Sequence, residues 1–138
     1  MMLEPGERPT DINAVKNTIE KSIDDNNLFL VATHKENIVG FLSIQKGEYR
    51  RIRHTGYLVV GIREKYRGMG IGSELFSKID TWAMENNITR IELTVIYSNT
   101  IAKHLYEKNG FIVESIKKNA MIIDDKYVDV FSMAKIYL

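Results

Sequence analysis

Arg63-Glu64-Lys65-Tyr66-Arg67-Gly68-Met69-Gly70-Ile71-Gly72-Ser73 is the stretch on which the fold turns. Glycine permits positive φ and a close backbone approach, so the alternation at Gly68, Gly70 and Gly72 marks a tightly shaped turn. Successive N–H groups in such a turn can point into one concavity, which favours anions. Beyond it, Ile71, Leu75, Ile79 and Trp82 fall three and four residues apart, the period of a helix that ends near Asn86-Asn87. A helix start adds partial positive charge to the turn, and Ser73 adds a hydroxyl. The parts are those of a phosphate cradle. A plain connecting turn is the alternative reading.

The spacing separates this cradle from two common ones. A Walker loop ends in Gly-Lys-Ser or Gly-Lys-Thr, and no lysine stands between Gly72 and Ser73. A dinucleotide fingerprint runs G-x-G-x-x-G and is followed by an acid at the end of the next strand, which Ile96-Tyr97 does not offer. Charge nearby favours an anion: Arg50, Arg51, Arg53, Arg63, Lys65 and Arg67 face only Glu48 and Glu64 in residues 48–67.

Upstream of the loop, residues 55–62 form an apolar strand interrupted by Gly56 and Gly61, which suggests a bulge or close approach of another backbone. Residues 28–33 and 38–45 read as a β-hairpin around His34-Lys35-Glu36-Asn37. Residues 46–53 are a charged loop. After Pro9, the spacing of Ile12, Val15, Ile19 and Ile23 predicts a helix capped by Thr10 and stopped at Asn26-Asn27. Downstream come a strand over 90–96, a helix over 100–108 capped by Ser98 or Asn99 and stopped at Asn109-Gly110, and two long strands around Asp124-Asp125. Ile101 and Leu105 read as that helix's core stripe, with Ala102 and Tyr106 on an adjacent face. The order predicts an α/β (α+β) domain with a mixed sheet, and 138 residues suffice for one domain over 1–138.

The composition excludes several classes. Nineteen basic and eighteen acidic side chains give a net charge of +1, far from a bulk nucleic-acid binder. No cysteine is present for disulfides or thiolate chemistry, and His34, His54 and His104 show no metal-ligand spacing. No apolar run approaches the length of a membrane span, and residues 1–10 lack the pattern of a signal peptide. A cytoplasmic protein without nucleic-acid or membrane partners and without a metal is expected.

Arg67-Gly68-Met69-Gly70-Ile71-Gly72 resembles the Q/R-x-x-G-x-G/A pyrophosphate loop of the GNAT superfamily of acyl-CoA-dependent N-acetyltransferases. The residues from Asn99 through Ala102, Leu105 and Tyr106 to Gly110-Phe111 resemble that family's second signature, N-x-x-A-x-x-L-Y-x-x-x-G-F. The resemblance implies a mixed, mostly antiparallel twisted sheet flanked by helices, and acetyl-CoA as co-substrate. It implies that Val60, Gly61 and Ile62 meet the pantetheine arm through backbone groups, with an oxyanion-binding N–H freed by a bulge near Val60 and Gly61. Backbone N–H groups of Arg67, Gly68, Met69, Gly70, Ile71, Gly72 and Ser73 would hold the pyrophosphate, Asn99 and Lys103 would touch the cofactor, and Tyr106 would protonate the leaving thiolate.

Two departures stand out. Many members carry a glutamate in the fourth strand as base, where this chain has Tyr57; Glu92 is one substitute. The usual first strand is missing or replaced by residues 1–7, from which a homodimer is expected in which a second copy shields an edge or the C-terminal strand. The implied reaction is direct acetyl transfer to a primary amine of a small molecule or protein. The acceptor is expected near the first helix, the 46–53 loop and the Asp124-Asp125 turn, with Asp24 and Asp25 able to attract a cationic one. Two other readings are a non-catalytic CoA-binding regulatory protein of the same fold and an enzyme that binds ATP or NAD.

Overall fold

The computed structural model describes the backbone strand at residues 16–21 and all of residues 27–137. In chain order the elements are β1 (Lys16–Lys21), β2 (Leu28–His34), β3 (Asn37–Lys46), β4 (Thr55–Ile62), α1 (Ile71–Phe76), α2 (Ile79–Glu85), β5 (Arg90–Ile96), α3 (Thr100–Lys108), β6 (Ile112–Ile123) and β7 (Lys126–Ile136). Among the described residues the strands form one sheet in the order β1-β2-β3-β4-β5-β7-β6. Neighbours are antiparallel except β4 and β5, which run parallel. The expected mixed, mostly antiparallel sheet with flanking helices is therefore present.

The predicted first helix is corrected where it can be seen. Residues 16–21 are a strand, paired from Lys16↔Thr33 to Lys21↔Leu28. The free edge of β2 offers unpaired backbone groups, and satisfying them outweighs a weak helical period. The remainder of that helix, residues 1–7 and Asp24-Asp25 lie outside the described residues.

Alternation puts one side of the sheet inward. Leu28, Leu30, Ala32 and His34 are buried along β2, and Ile91, Leu93 and Val95 along β5. Except for His34, these side chains join Leu75, Phe76, Ile79, Trp82 and Tyr106 from the helices in a single core. Each fully buried aliphatic side chain contributes roughly 1.5–3 kcal/mol. The helix expected to run unbroken from residue 71 is split at Ser77-Lys78. There the Ser77 hydroxyl donates to the Glu74 carbonyl at 2.6 Å and the Lys78 N–H to the Leu75 carbonyl at 3.2 Å, a tighter turn than an α-helix makes.

The bulge expected in β4 is absent. Its register with β3 runs without a shift from Gly40↔Ile62 to Lys46↔Gly56. Its two glycines make room for side chains instead: a Cβ at Gly61 would stand 2.6 Å from the Phe41 ring, and one at Gly56 would stand 2.5 Å from Ile44 Cγ2. Ile44 is fully buried. Gly56→Ala is thus expected to lower the unfolding free energy by about 1–3 kcal/mol through overpacking. The urea midpoint should fall at constant slope, and an unchanged midpoint would contradict this packing.

Candidate active site

The site begins where β4 leaves β5. At the two ends of the β3–β4 ladder the Gly47 N–H donates to the Thr55 carbonyl at 3.0 Å and the Arg63 N–H to the Val39 carbonyl at 2.9 Å. Odd-numbered residues of β4 therefore bond to β3, and even-numbered ones turn their N–H and C=O groups toward β5. Pairing with β5 covers only Thr55↔Arg90, Gly56↔Ile91 and Tyr57↔Glu92. Beyond Tyr57 the strands part, so the backbone groups of Val60 and the N–H of Ile62 face open space. That space is a cleft of about 580 Å³ walled by β4, the glycine loop and α3.

Each glycine of the loop has its own physical reason. Gly68 and Gly70 sit at φ of +78° and +83°, the left-handed region that L side chains avoid. A Cβ at Gly68 would meet nothing within 4 Å, so its side of the loop is open. Gly72 is in α1, where a Cβ would stand 3.0 Å from Leu105 of α3 and 3.2 Å from Ile62. Among the described residues, the N–H groups of Gly68, Gly70, Ile71, Gly72 and Ser73 make no bond to another backbone group. Arg67 locks the loop to the strand, its Nε donating to the Ile62 carbonyl at 3.1 Å.

Val60, Gly61, Ile62, Arg67, Gly68, Gly70, Gly72, Ser73, Asn99 and Tyr106 all line this cleft. Three expected residues do not. Met69 is half-buried beside it, and the Ile71 side chain is buried in the core. Lys103 turns to Glu107 at 3.1 Å and lies 5.1 Å from the centre of the Phe131 ring. Asn99 caps α3, accepting from the Ala102 N–H at 3.1 Å.

The core stripe predicted on α3 is rotated. Ile101 is 76% exposed and lines the cleft, whereas Tyr106 is 8% exposed. The Tyr106 ring packs 5.8 Å from Phe76 and 6.2 Å from Phe111, and those aromatic partners set which side of α3 faces inward. Tyr66, His104 and Lys108 also line the cleft and were not singled out for it in the sequence. Spacing carried the signal for two of them, since Ile101, His104 and Lys108 stand three and four apart on one helical stripe.

Burial, with a smaller contribution from Tyr57, pushes the Tyr106 hydroxyl above its ordinary range. That group makes no hydrogen bond among the described residues. Tyr57 closes the fork from the outer side of the sheet, its hydroxyl 2.9 Å from Thr94 Oγ1. Glu92 is engaged elsewhere: it accepts from Arg90 Nε at 2.7 Å, while Arg90 Nη1 bonds Glu114 at 2.9 Å. Its charge is thereby committed to a surface ion-pair network.

The forked mixed sheet thus sets open strand and loop amides and a buried tyrosine along one cleft. Residues 3–111 match the acetyltransferase (GNAT) family. The chain is 30% identical over 111 residues to the L-amino acid N-acetyltransferase AaaT of Escherichia coli, covering 78% of this chain and 67% of that one. It is 32% identical over 85 residues to the N-alpha-acetyltransferase MAK3 of Arabidopsis thaliana, covering 62% of this chain but only 45% of that one. It also superposes on the crystal structure of a GNAT-family acetyltransferase from Streptococcus pneumoniae with a TM-score of 0.78 and 33% identity, over 84% of this chain and 70% of that one. The chain belongs to the GNAT acetyltransferase family, and membership assigns it the class of acyl-CoA-dependent N-acyltransferases.

If the unbonded amides form a ligand cradle, its shape should depend on positive φ alone at Gly68. Gly68→Ala adds no steric clash but about 1–2 kcal/mol of backbone strain. Calorimetric titration should show CoA binding weakened by roughly tenfold, since 1.4 kcal/mol is a factor of ten. Unchanged affinity would contradict the cradle.

Proposed function

We propose that this protein transfers an acetyl group from acetyl-CoA directly to a primary amine, in the cleft between β4 and β5. The observation that carries the reading is the fork itself, where backbone donors lie open along a strand and a loop and a buried tyrosine lines the same cleft. Acetyl-CoA would supply an activated thioester, so no covalent enzyme intermediate is needed. The amides from Gly68 to Ser73 would hold the pyrophosphate, and Arg67 and Lys108 on the cleft walls would add positive charge. Val60 and Ile62 would receive the pantetheine arm as an added strand. The oxyanion-binding donor is the Val60 N–H, made available by the parting of β5 rather than by a bulge.

Tyr106 holds the proton that the departing sulfur takes up. Its raised pKa keeps that proton in place across the neutral range. No carboxylate stands on β4, so the acceptor reacts as the neutral amine; the proton its nitrogen loses as the amide forms passes to water, from which the Tyr106 hydroxyl regains the one it gives to the sulfur. Tyr106→Phe keeps the ring among Phe76 and Phe111 and removes only the hydroxyl. Its kcat is expected to fall by about 10²–10³, within the usual range for a general acid, with the Kd for CoA unchanged. Full activity in this variant would remove Tyr106 from the mechanism. Tight CoA binding with no thiol release on any amine would leave a CoA-binding protein without turnover.

The pH profile has a defined shape under this reading. A pKa raised above 10 leaves Tyr106 protonated at every lower pH, so its loss produces no descending limb below about pH 10. Activity should rise with pH as the acceptor amine deprotonates and then stay level. A descending limb between pH 7 and 9 would contradict this.

A homodimer through β6 belongs to the same proposal. Every residue of β6 is exposed, including Ile112, Ile116 and Ile122, and the strand is the free end of the sheet among the described residues. Apolar edges of this kind are normally covered. Sedimentation at micromolar concentration should show a dimer that Ile122→Lys dissociates, and a monomer for the unaltered chain would exclude it. A cytoplasmic setting suits the reading, because acetyl-CoA is the co-substrate and there is no cysteine to oxidise.

A further inference from the structure

We propose that Tyr57 and Thr94 are positioning residues: the hydrogen bond between their hydroxyls fixes how far apart the fork holds the Tyr106 hydroxyl and the Val60 N–H. The inference rests on the transferase reading, because that reading sets both groups on one thioester. Tyr57 is the last residue of β4 paired with β5, and Thr94 stands on β5 two residues past its partner Glu92. The two hydroxyl oxygens lie 2.9 Å apart, so this bond crosses the opening where backbone bonds have stopped. Among the described residues no other side-chain hydrogen bond joins β4 to β5. Neither side chain lines the cleft, so any effect they have on the reaction passes through groups that do.

The two reacting groups stand on opposite halves of the sheet. Val60 belongs to β4, which β3 holds along its length. Tyr106 belongs to α3, which follows β5, and β5 is held by β7. The link from β5 to α3 is short and bonded: the Tyr97 N–H donates to the Asp129 carbonyl at 2.9 Å, and the Asn99 N–H to the Ile96 carbonyl at 2.9 Å. Helix α3 therefore moves with β5, and a change in the angle between β4 and β5 moves the proton donor relative to the oxyanion donor. Three residue pairs at the seam leave that angle soft. Farther along, Leu105 of α3 packs beside Gly72 and Ile62, a contact that resists closing of the fork but not its opening. The bond from Tyr57 to Thr94 resists opening. After burial, Tyr57 is the second cause that holds the Tyr106 hydroxyl above its ordinary range, so the tie lies near the acid it positions. A shift of about 1 Å between reacting groups can cost on the order of 10²-fold in rate, so one exposed hydrogen bond can matter more to turnover than to stability.

The test compares Tyr57→Phe, Thr94→Val, the two together and Thr94→Ser by thiol release from acetyl-CoA. L-lysine, spermidine and a hexapeptide with a free N-terminus are the acceptors, and the best of them is carried through the series. Tyr57→Phe and Thr94→Val should each lose about tenfold in kcat, with KM for acetyl-CoA and the Kd for CoA unchanged. The double variant should lose no more than either single one, because both substitutions remove the same bond. Thr94→Ser keeps a hydroxyl at the same place and should recover kcat to within about twofold. Unchanged kcat, a loss confined to Tyr57→Phe, losses that multiply in the double variant, or a Thr94→Ser as slow as Thr94→Val overturns the inference. If no acceptor releases thiol from the unaltered protein, the transferase reading fails, and the tie is still decided by nitrogen-15 amide shifts. Displacement of the Val60 and Ile62 amides by Thr94→Val but not by Thr94→Ser supports it. Amides that stay in place, or move equally in both variants, overturn it.

Discussion

The parting of β4 from β5 after Tyr57 is the constraint on which the rest of the molecule depends. β4 is paired along its length with β3, and β5 along its length with β7, from Arg90↔Ile136 to Ile96↔Val130. The two halves of the sheet are joined by three residue pairs. Past that seam the Ile62 carbonyl is taken by Arg67 Nε, but the backbone groups of Val60 and the Ile62 N–H can neither bond across the sheet nor be buried dry. An unsatisfied buried polar group costs roughly 1–3 kcal/mol, so they must meet water or a ligand. The cleft is the fold's way of leaving them accessible.

The helices hold the fork open and give it chemistry. Leu105 lies against Gly72 and Ile62, so α3 fits at the fork only because α1 has no side chain at that point. The same packing sets Tyr106, Ile101 and His104 along the cleft. On the inner side, His34 Nδ1 and Nε2 and Arg63 Nε and Nη1 are buried and, among the described residues, have no hydrogen-bond partner; the His34 ring lies 6.3 Å from that of Tyr66. Polar groups left in this state lower stability, and sites of function tolerate them more than cores do. Arg63 stands four residues before Arg67 in the chain.

Much of this could be read in the sequence from residue 28 onward. Local chemistry fixes such features: glycines at positive φ, an asparagine at the start of α3, glycine after its end. The strand at 16–21 was hidden because its pairing with β2 is tertiary, and an isoleucine period of three and four pointed the other way. The β4 glycines were legible as sites of close approach, but not that Phe41 and Ile44 approach rather than another backbone. Tyr106 was found through its motif. The rotation of α3 that buries it, exposes Ile101 and sends Lys103 toward Phe131 depends on Phe76 and Phe111, which no local pattern links to it. The fork left no local trace at all, since a strand looks the same whether or not its neighbour stays beside it.

Amide resonances of the nitrogen-15-labelled protein, followed while CoA is added, test the central claim most directly. The account predicts that Gly68, Gly70, Gly72 and Ser73 shift together with Val60 and Ile62, at one common affinity, and that NAD and ATP leave Val60 and Ile62 in place. Unmoved amides in the loop and strand, or shifts confined to another surface, would contradict it.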